Sequence, residues 1–174
     1  IGGSFSCLEL LDVIYHGFMR KTDQGEFWDT FILSKGHASF AWYVTLESLG
    51  ILPSEEIEKY CSSKGILGMH PDRGTPGIIT STGSLGHGLG MGAGMALYEK
   101  IYQEDRNVFV IMSDGELQEG SVWEENGKVV IHCHLTSWGD RFLIPDELRR
   151  WAALNGYPMM ATYHGSSLTR RLAG

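Results

Sequence analysis

The 174-residue chain is predicted to fold as an α/β domain in which helices flank a parallel sheet. Two short apolar runs, residues 31–33 and 107–112, have the length and residue types of buried strands. Segments with helical spacing or helical start and stop signals lie before and between these runs. Strands that alternate with helices favour a parallel sheet, which binds its ligands at the carboxyl ends of its strands.

The helices are predicted from apolar spacing and from their flanking residues. They are residues 5–19 with the possible caps Ser4 and Ser6, residues 38–49 before Gly50, a helix that starts at Pro53, and residues 85–102. Residues 61–83 are rich in Gly, Ser, Thr and Pro. We interpret them as a long irregular loop, and long loops inside compact domains tend to be functional.

Composition and charge narrow the class of protein. The chain has 14 basic and 21 acidic residues, for a formal net charge of −7, which argues against nucleic acid as a partner because clustered Lys and Arg hold phosphate backbones. No apolar run approaches the roughly 20 residues that cross a bilayer, so no membrane contact is expected. The cysteines are widely spaced, without the pattern of a zinc site, and indicate reduced thiols in a cytoplasmic protein.

Three motif segments carry the chemistry. They are residues 33–39 (LSKGHAS), residues 68–88 (from GMHP to GSLGHG) and residues 113–120 (SDGELQEG). In this order and spacing the segments resemble the transketolase family, particularly members that are split into two subunits. The resemblance covers about residues 1–124 and implies the thiamine-diphosphate-binding fold. It also implies that Ile1 to Ser4 are the remainder of a Gly-His motif whose His precedes Ile1.

The residue types fit the cofactor that the resemblance implies, which is thiamine diphosphate held with Mg²⁺. Asp114 follows directly on a strand, where a carboxylate can reach a hard divalent cation, and Gly115 lets the backbone approach a diphosphate. The glycines from Gly83 onward precede a helix whose amino end can bind an anion. This stretch follows a loop rather than a strand, so it does not fit a dinucleotide fingerprint.

The resemblance also assigns roles to single residues. Gly83 and Leu85 would contact the cofactor with Gly115, and Asp114 would bind the metal. His37 and His70 would face the channel to the thiazolium ring, where they orient substrate or move protons. Glu119 matches an acid that the family places at the subunit interface near the cofactor. The alternative for each His is a structural role, and for Glu119 it is a solvated surface position.

The chain changes character near Glu124, which divides it into a partial cofactor-binding domain (1–124) and a divergent tail of unknown origin (125–174). The tail contains a strand-like stretch at 129–132, a helix-like stretch at 146–154 and a mobile end at 164–174. The family completes its metal site with an Asn after the next strand, yet residues 140–146 contain none. His132 and His134 lack a third ligand at suitable spacing, so no metal site is expected there.

The implied activity is transfer of a two-carbon ketol unit between sugar phosphates. The family also needs a pyrimidine-binding domain, for which this chain has no room, so we expect a partner subunit or a missing part, assembled as a dimer or heterotetramer. The isolated chain is then expected to be inactive. Two alternatives stay open: a thiamine enzyme of the deoxyxylulose phosphate synthase type, and a non-catalytic or truncated subunit that only associates with a partner.

Overall fold

The computed structural model describes residues 2–123, 132–136 and 160–164 of the chain. In chain order the elements are α1 (Gly2–Phe5), α2 (Leu8–Val13), a π-helical turn (Ile14–Phe18), β1 (Thr30–Leu33), a 3₁₀ turn (Gly36–Ala38), α3 (Ser39–Ser48), α4 (Ser54–Glu58), α5 (His87–Tyr102), β2 (Val108–Ile111), a 3₁₀ turn (Gly115–Gln118), α6 (Gly120–Trp123), β3 (His132–Thr136) and β4 (Met160–His164). Strands β1 and β2, helices α3 and α5 and the start of α4 lie where the sequence predicted them, to within two residues. Helix α6 and strand β4 are elements that the sequence pattern did not predict.

The strands pair in parallel, which confirms the predicted fold class. Thr30 of β1 lies opposite Val108 of β2, and Leu33 lies opposite Ile111. Within the described residues, β3 and β4 form a second parallel pair. No helix of the described part of the chain is long and apolar enough to cross a membrane.

Helices cover both faces of the first sheet because β1 is apolar on both sides. Phe31 and Leu33 are buried in one core with residues of α2 and α3. The Phe31 and Trp42 ring centroids are 5.0 Å apart in an edge-on arrangement. On the other face α5 comes so close that a Cβ added at Gly92 would lie 2.5 Å from Val110 Cγ2 and 3.7 Å from Ile32 Cδ1. This position therefore serves close helix packing.

The second strand differs from its prediction as a buried strand. Val108, Phe109 and Val110 are only half-buried, and Ile111 is the residue of β2 that is buried. The apolar run gave the correct conformation, since Val, Ile and Phe favour strands on a partly covered surface as well as on a buried one.

The amino-terminal helix also differs from its prediction as one continuous helix with serine caps. It is interrupted between α1 and α2, where Cys7 precedes α2 without a side-chain cap hydrogen bond. Ser4 lies inside α1. The Ser6 hydroxyl donates to Gly3 O at 2.8 Å and accepts from Lys35 Nζ at 2.7 Å. Ser6 thus links α1 to the segment after β1 instead of capping a helix.

A charged clamp joins the two strands at their amino ends. The Arg20 guanidinium donates to Asp29 Oδ1 at 2.7 Å, and the backbone N–H of Asn107 donates to the same oxygen at 2.8 Å. Burial alone would raise the pKa of Asp29, but hydrogen bonds from Arg20 and Asn107 outweigh it, so the pKa lies below its usual value. The clamp fixes the amino edge of the sheet and leaves the carboxyl edge for the motif segments.

Several predictions for the tail fall outside the described residues. These are the strand-like residues 129–131, the helix at 146–154, the absent Asn at 140–146 and the end from 165 onward. The strand character predicted for His132 is confirmed by β3, which continues to Thr136. The domain boundary at Glu124 stays a prediction.

Candidate functional site

The carboxyl ends of β1 and β2 bring two of the motif segments side by side. Ser34 follows β1, and its backbone N–H donates to Ile111 O, the last residue of β2, at 2.8 Å. Ser34 is the first residue of the Ser-Lys-Gly-His segment, and Ser113 is the first residue of the Ser-Asp-Gly segment. In the register of the two strands they are therefore about one residue apart. Parallel pairing alone places these two segments next to each other, because parallel strands end at the same edge of their sheet.

Glu116 joins these two strand ends to the start of α5. Its Oε1 accepts from the Ser34 hydroxyl at 2.6 Å and from the Gly86 N–H at 2.9 Å. Its Oε2 accepts from the Ser113 N–H at 2.7 Å. The residue has no solvent exposure. All three motif segments are thus connected through one buried carboxylate.

Two glycines at the start of α5 occupy positions with no room for a side chain. Gly86 has a φ of +81°, in the left-handed region that favours glycine, and a Cβ there would lie 2.9 Å from Glu119 Cβ. At Gly88 a Cβ would lie 2.5 Å from Ser34 Cβ and 2.6 Å from its Cα. The helix can reach the strand end only because both positions are glycine.

The amino end of α5 is only partly available to an anion, which modifies the predicted role of the glycine stretch. The N–H groups of Gly86 and Gly88 are already hydrogen-bonded, the second to Ser34 Oγ at 3.1 Å. Within the described part of the chain, the N–H groups of Gly83 and Leu85 make no hydrogen bond. Free donors therefore lie in the turn before the helix, and the two residues that the resemblance pointed to are among those that carry them.

A cleft of about 490 Å³ opens in front of this turn. The residues that line it come from the loop before α5, from α5 itself and from the start of α6: Ser81, Thr82, Gly83, Ser84, Gly86, His87, Gly90, Met91 and Ser121. Most are small or polar, and several present backbone. The predicted residue Gly83 lies in its wall, whereas Leu85 is half-buried beside it.

Both predicted histidines are exposed and lie near Gly83. A Cβ added at Gly83 would be 3.6 Å from His70 Cγ, so the His70 ring packs on this glycine. A Cβ added at Gly36, next to His37, would be 2.6 Å from Thr82 O and 3.0 Å from Gly83 N. The loop that carries His70 is fixed by the Tyr43 hydroxyl, which donates to His70 O at 2.8 Å. His37, His70 and Gly83 therefore gather in one place.

The imidazole of His37 favours its neutral form. Partial burial lowers the pKa of His37 most, the nearby positive charge of Lys35 lowers it further, and His70 adds a smaller lowering. The negative charge of Glu116 opposes them by raising the pKa of His37. A neutral imidazole can accept a proton on one nitrogen while it donates from the other.

We expect Lys35→Met to raise the pKa of His37 toward its ordinary value of about 6.5. Removing the positive charge makes the protonated imidazole less unfavourable, and methionine fills a similar volume in the buried position of Lys35. NMR titration of the histidine ring protons measures this directly. Lys100→Met, which removes an exposed charge near the end of α5, is the control and should leave the pKa unchanged. A pKa that stays or falls in Lys35→Met would contradict the assignment.

The predicted metal and interface residues lie on the third segment. Asp114 is half-buried at the start of the 3₁₀ turn, and Gly115 and Glu119 are exposed. Glu119 packs against Gly86, next to the cleft. The described residues contain no group of three or more His, Cys, Asp or Glu side chains that could hold a metal ion. The individual roles of these residues stay predictions.

Sequence reasoning gave no role to Ser34, Thr82, Glu116 or Ser121. Thr82 donates from its hydroxyl to Leu33 O at 2.6 Å, which ties the loop before α5 to the end of β1. The spacing of these residues gives no sign of a role, because each contacts a residue more than 30 positions away or a residue that comes near only when the chain is folded. A signal was available for Glu116 alone, as an acid between Asp114 and Glu119 in an already recognised motif.

Comparison with known proteins agrees with this geometry. Residues 2–136 match the family model described as the transketolase thiamine diphosphate-binding domain. The chain is 42% identical over 128 residues to one of the subunits of apulose-4-phosphate transketolase from Phocaeicola vulgatus, covering 71% of this chain and 45% of that one. It is 36% identical over 128 residues to a 6-deoxy-6-sulfo-D-fructose transketolase subunit from a Clostridium species, covering 71% and 46%.

Longer relatives and a solved structure give the same result. Transketolase of Pongo abelii is 37% identical over 123 residues, covering 68% of this chain and 20% of that enzyme. The structure of transketolase from Leishmania mexicana superposes with a TM-score of 0.57 at 27% identity, covering 64% of this chain and 19% of that one. The chain spans less than half the length of these curated relatives. It belongs to the family of transketolase thiamine diphosphate-binding domains.

Proposed function

We propose that this chain is the cofactor-binding part of a transketolase and that, with a partner subunit, it transfers two-carbon ketol units between sugar phosphates. The observation that carries the proposal is the joining of all three motif segments at the cleft before α5, through the buried carboxylate of Glu116. The relatives named as transketolases favour this activity over that of a deoxyxylulose phosphate synthase.

The cleft has features that fit a diphosphate and its metal. The free N–H groups of Gly83 and Leu85 are donors for phosphate oxygens, and Gly86, which has no Cβ, lets the turn pack closely against Glu119 and Ser121. We assign Asp114 to Mg²⁺ and Gly115 to the cofactor, because a carboxylate with phosphate oxygens is a usual magnesium site. When bound, thiamine diphosphate supplies the nucleophilic carbon that ketol transfer needs.

We assign proton movements at the substrate to His37 and His70. Both imidazoles are exposed, His70 lies against Gly83, and His37 follows Gly36, which packs against Thr82 and Gly83 at the cleft wall, so we place the sugar phosphate within reach of both. The lowered pKa of His37 favours the form that can accept a proton from a substrate hydroxyl and hold it for return. His70 is positioned by its contact with Gly83 and by the Tyr43 hydrogen bond to its backbone.

The partner is proposed to be a subunit with a pyrimidine-binding domain, in a dimer or heterotetramer. The relatives named as subunits support an assembly of more than one chain. The outer face of α5 offers a contact surface, since Leu97 and Ile101 lie one turn apart and are 58% and 65% exposed. The same helix lines the cleft at its other end, so a partner seated there would border the site. Glu119, exposed beside Gly86, would face that partner.

A cytoplasmic location is part of the proposal. Cys7 and Cys61 both carry free thiols, and Cys61 is exposed, as is usual in a reducing compartment.

We expect the purified chain alone to show no ketol transfer, even with added thiamine diphosphate and Mg²⁺. The proposed activity needs a pyrimidine-binding domain, which we assign to the partner subunit. The described residues contain no group of three or more His, Cys, Asp or Glu side chains that could hold a metal ion, so magnesium should bind only weakly to this chain. A coupled assay of sugar-phosphate conversion, with and without a co-expressed partner subunit, tests the proposed activity. Calorimetric titration of the chain with thiamine diphosphate and Mg²⁺ tests the expected weak binding. Activity that appears only with the partner supports it. Turnover by the chain alone would contradict the need for a partner, and no activity in the assembled protein would contradict the function.

A further inference from the structure

We propose that Glu116 is a positioning residue that holds the cofactor cleft in its binding arrangement, an inference that rests on the proposed function. No role follows for Glu116 from the metal and cofactor assignments of its neighbours. It points away from solvent, whereas Gly115 beside it is exposed. Its carboxylate lies between the three motif segments instead of facing the cleft.

The hydrogen bonds of Glu116 are of a kind that a carboxylate alone can satisfy. The N–H groups of Gly86 and Ser113 can only donate, and they lie on different oxygens of the carboxylate. The Ser34 hydroxyl donates to the first oxygen while it accepts from the Gly88 N–H at 3.1 Å. Both N–H groups therefore need an acceptor at Glu116, and both oxygens are used.

Each of these partners lies within three residues of a residue with an assigned role. Gly86 follows the free donors of the turn at Gly83 and Leu85, and Ser113 precedes Asp114. Ser34 begins the segment that carries His37. A single buried side chain thus sets the relative placement of the cofactor donors, the metal ligand and the histidine, although it touches none of them.

The charge of Glu116 also reaches the site. It raises the pKa of His37 and so counteracts part of the effect of Lys35. Both lines of evidence, the geometry and the electrostatics, connect Glu116 to the site rather than to the general core.

The direct test is Glu116→Gln in the full chain. A glutamine has nearly the same shape, but its amide group must turn an N–H₂ toward either Gly86 or Ser113, where two donors then meet. We expect amide hydrogen exchange at one or both of these residues to become at least about tenfold faster, since a buried N–H loses its acceptor. Glu55→Gln, on the exposed side of α4, is the matched control and should change neither amide.

Cofactor binding provides the readout that separates positioning from simple stability. The probe is thiamine diphosphate with Mg²⁺, followed by NMR shifts of the Gly83 and Leu85 amides at a temperature where each variant is fully folded. We expect the dissociation constant of Glu116→Gln to rise by about tenfold, because the cleft occupies its binding arrangement for a smaller fraction of the time. A lowered melting temperature with unchanged affinity and unchanged amide exchange would overturn the proposal.

Two further outcomes are distinguishable. If the unmodified chain, assembled with its partner subunit, shows no amide shifts with the probe at millimolar concentration, the proposed function fails, whereas the exchange rates of Gly86 and Ser113 still decide whether Glu116 holds the segments together. If Glu116→Gln does not fold, Ser34→Ala removes one donor to the same carboxylate. Unchanged exchange at Gly86 and unchanged affinity in that variant would also overturn the proposal.

Discussion

Gly88→Ala is expected to lower the free energy of unfolding by about 3 kcal/mol, at the upper end of what one added methyl group costs in a tightly packed region. The new Cβ would lie 2.5 Å from Ser34 Cβ and 2.6 Å from Ser34 Cα. Backbone cannot move aside as the end of a flexible side chain can, so α5 must shift from the end of β1. That shift would break the Gly88 N–H bond to Ser34 Oγ and disturb the Glu116 network.

Gly94→Ala is the matched control for this prediction. Gly94 lies in the same helix, but a Cβ there would meet nothing within 4 Å. The substitution should stabilise the chain by about 0.5–1 kcal/mol, because alanine favours the helix over glycine. Urea denaturation of both variants measures the contrast. Equal stability of the two variants would show that the close approach of α5 to β1 is wrong.

Asp114→Ala in the assembled enzyme is expected to reduce ketol transfer by about 100-fold or more. Removing a residue that only hydrogen-bonds to a metal ligand already lowers metal affinity or activity by about 10–100-fold, and Asp114 is assigned as a ligand itself. The fold should survive, because the hydrogen bond at this position comes from the Leu117 N–H to the backbone oxygen of Asp114 at 3.1 Å, not to its side chain. The loss should be partly relieved by raised Mg²⁺ concentration.

The control for Asp114 is Asp23→Ala, an exposed acid in the turn before β1. Its activity and its magnesium dependence should equal those of the unmodified enzyme. Circular dichroism and the melting temperature establish that both variants are folded. Full activity of Asp114→Ala at low Mg²⁺ would remove Asp114 from the metal site and leave the assignment of the third segment without support.

Strands β1 and β2 and the helices from α3 to α5 could be predicted because their signals are local. The apolar run of β1, the helix of α3 with Gly50 behind it, and the glycine-rich start of α5 each lie within a few consecutive residues. The amino-terminal helix was the exception. At its break before α2, Ser6 accepts a hydrogen bond from Lys35, which is 29 positions away, and local spacing contains no trace of that contact.

The motif segments indicated the family and the candidate residues from sequence alone, because their order and spacing resemble those of the family and because the chemistry of a carboxylate, a glycine turn or a histidine is a property of the residue type in its pattern. What only the tertiary structure decided is how the segments meet. Glu116 became the junction because parallel pairing places Ser34 beside Ser113, and because glycines at 86 and 88 let α5 approach both. Such contacts join residues 30 to 82 positions apart, and their distances follow from the packing of β1, β2 and α5 rather than from any local pattern.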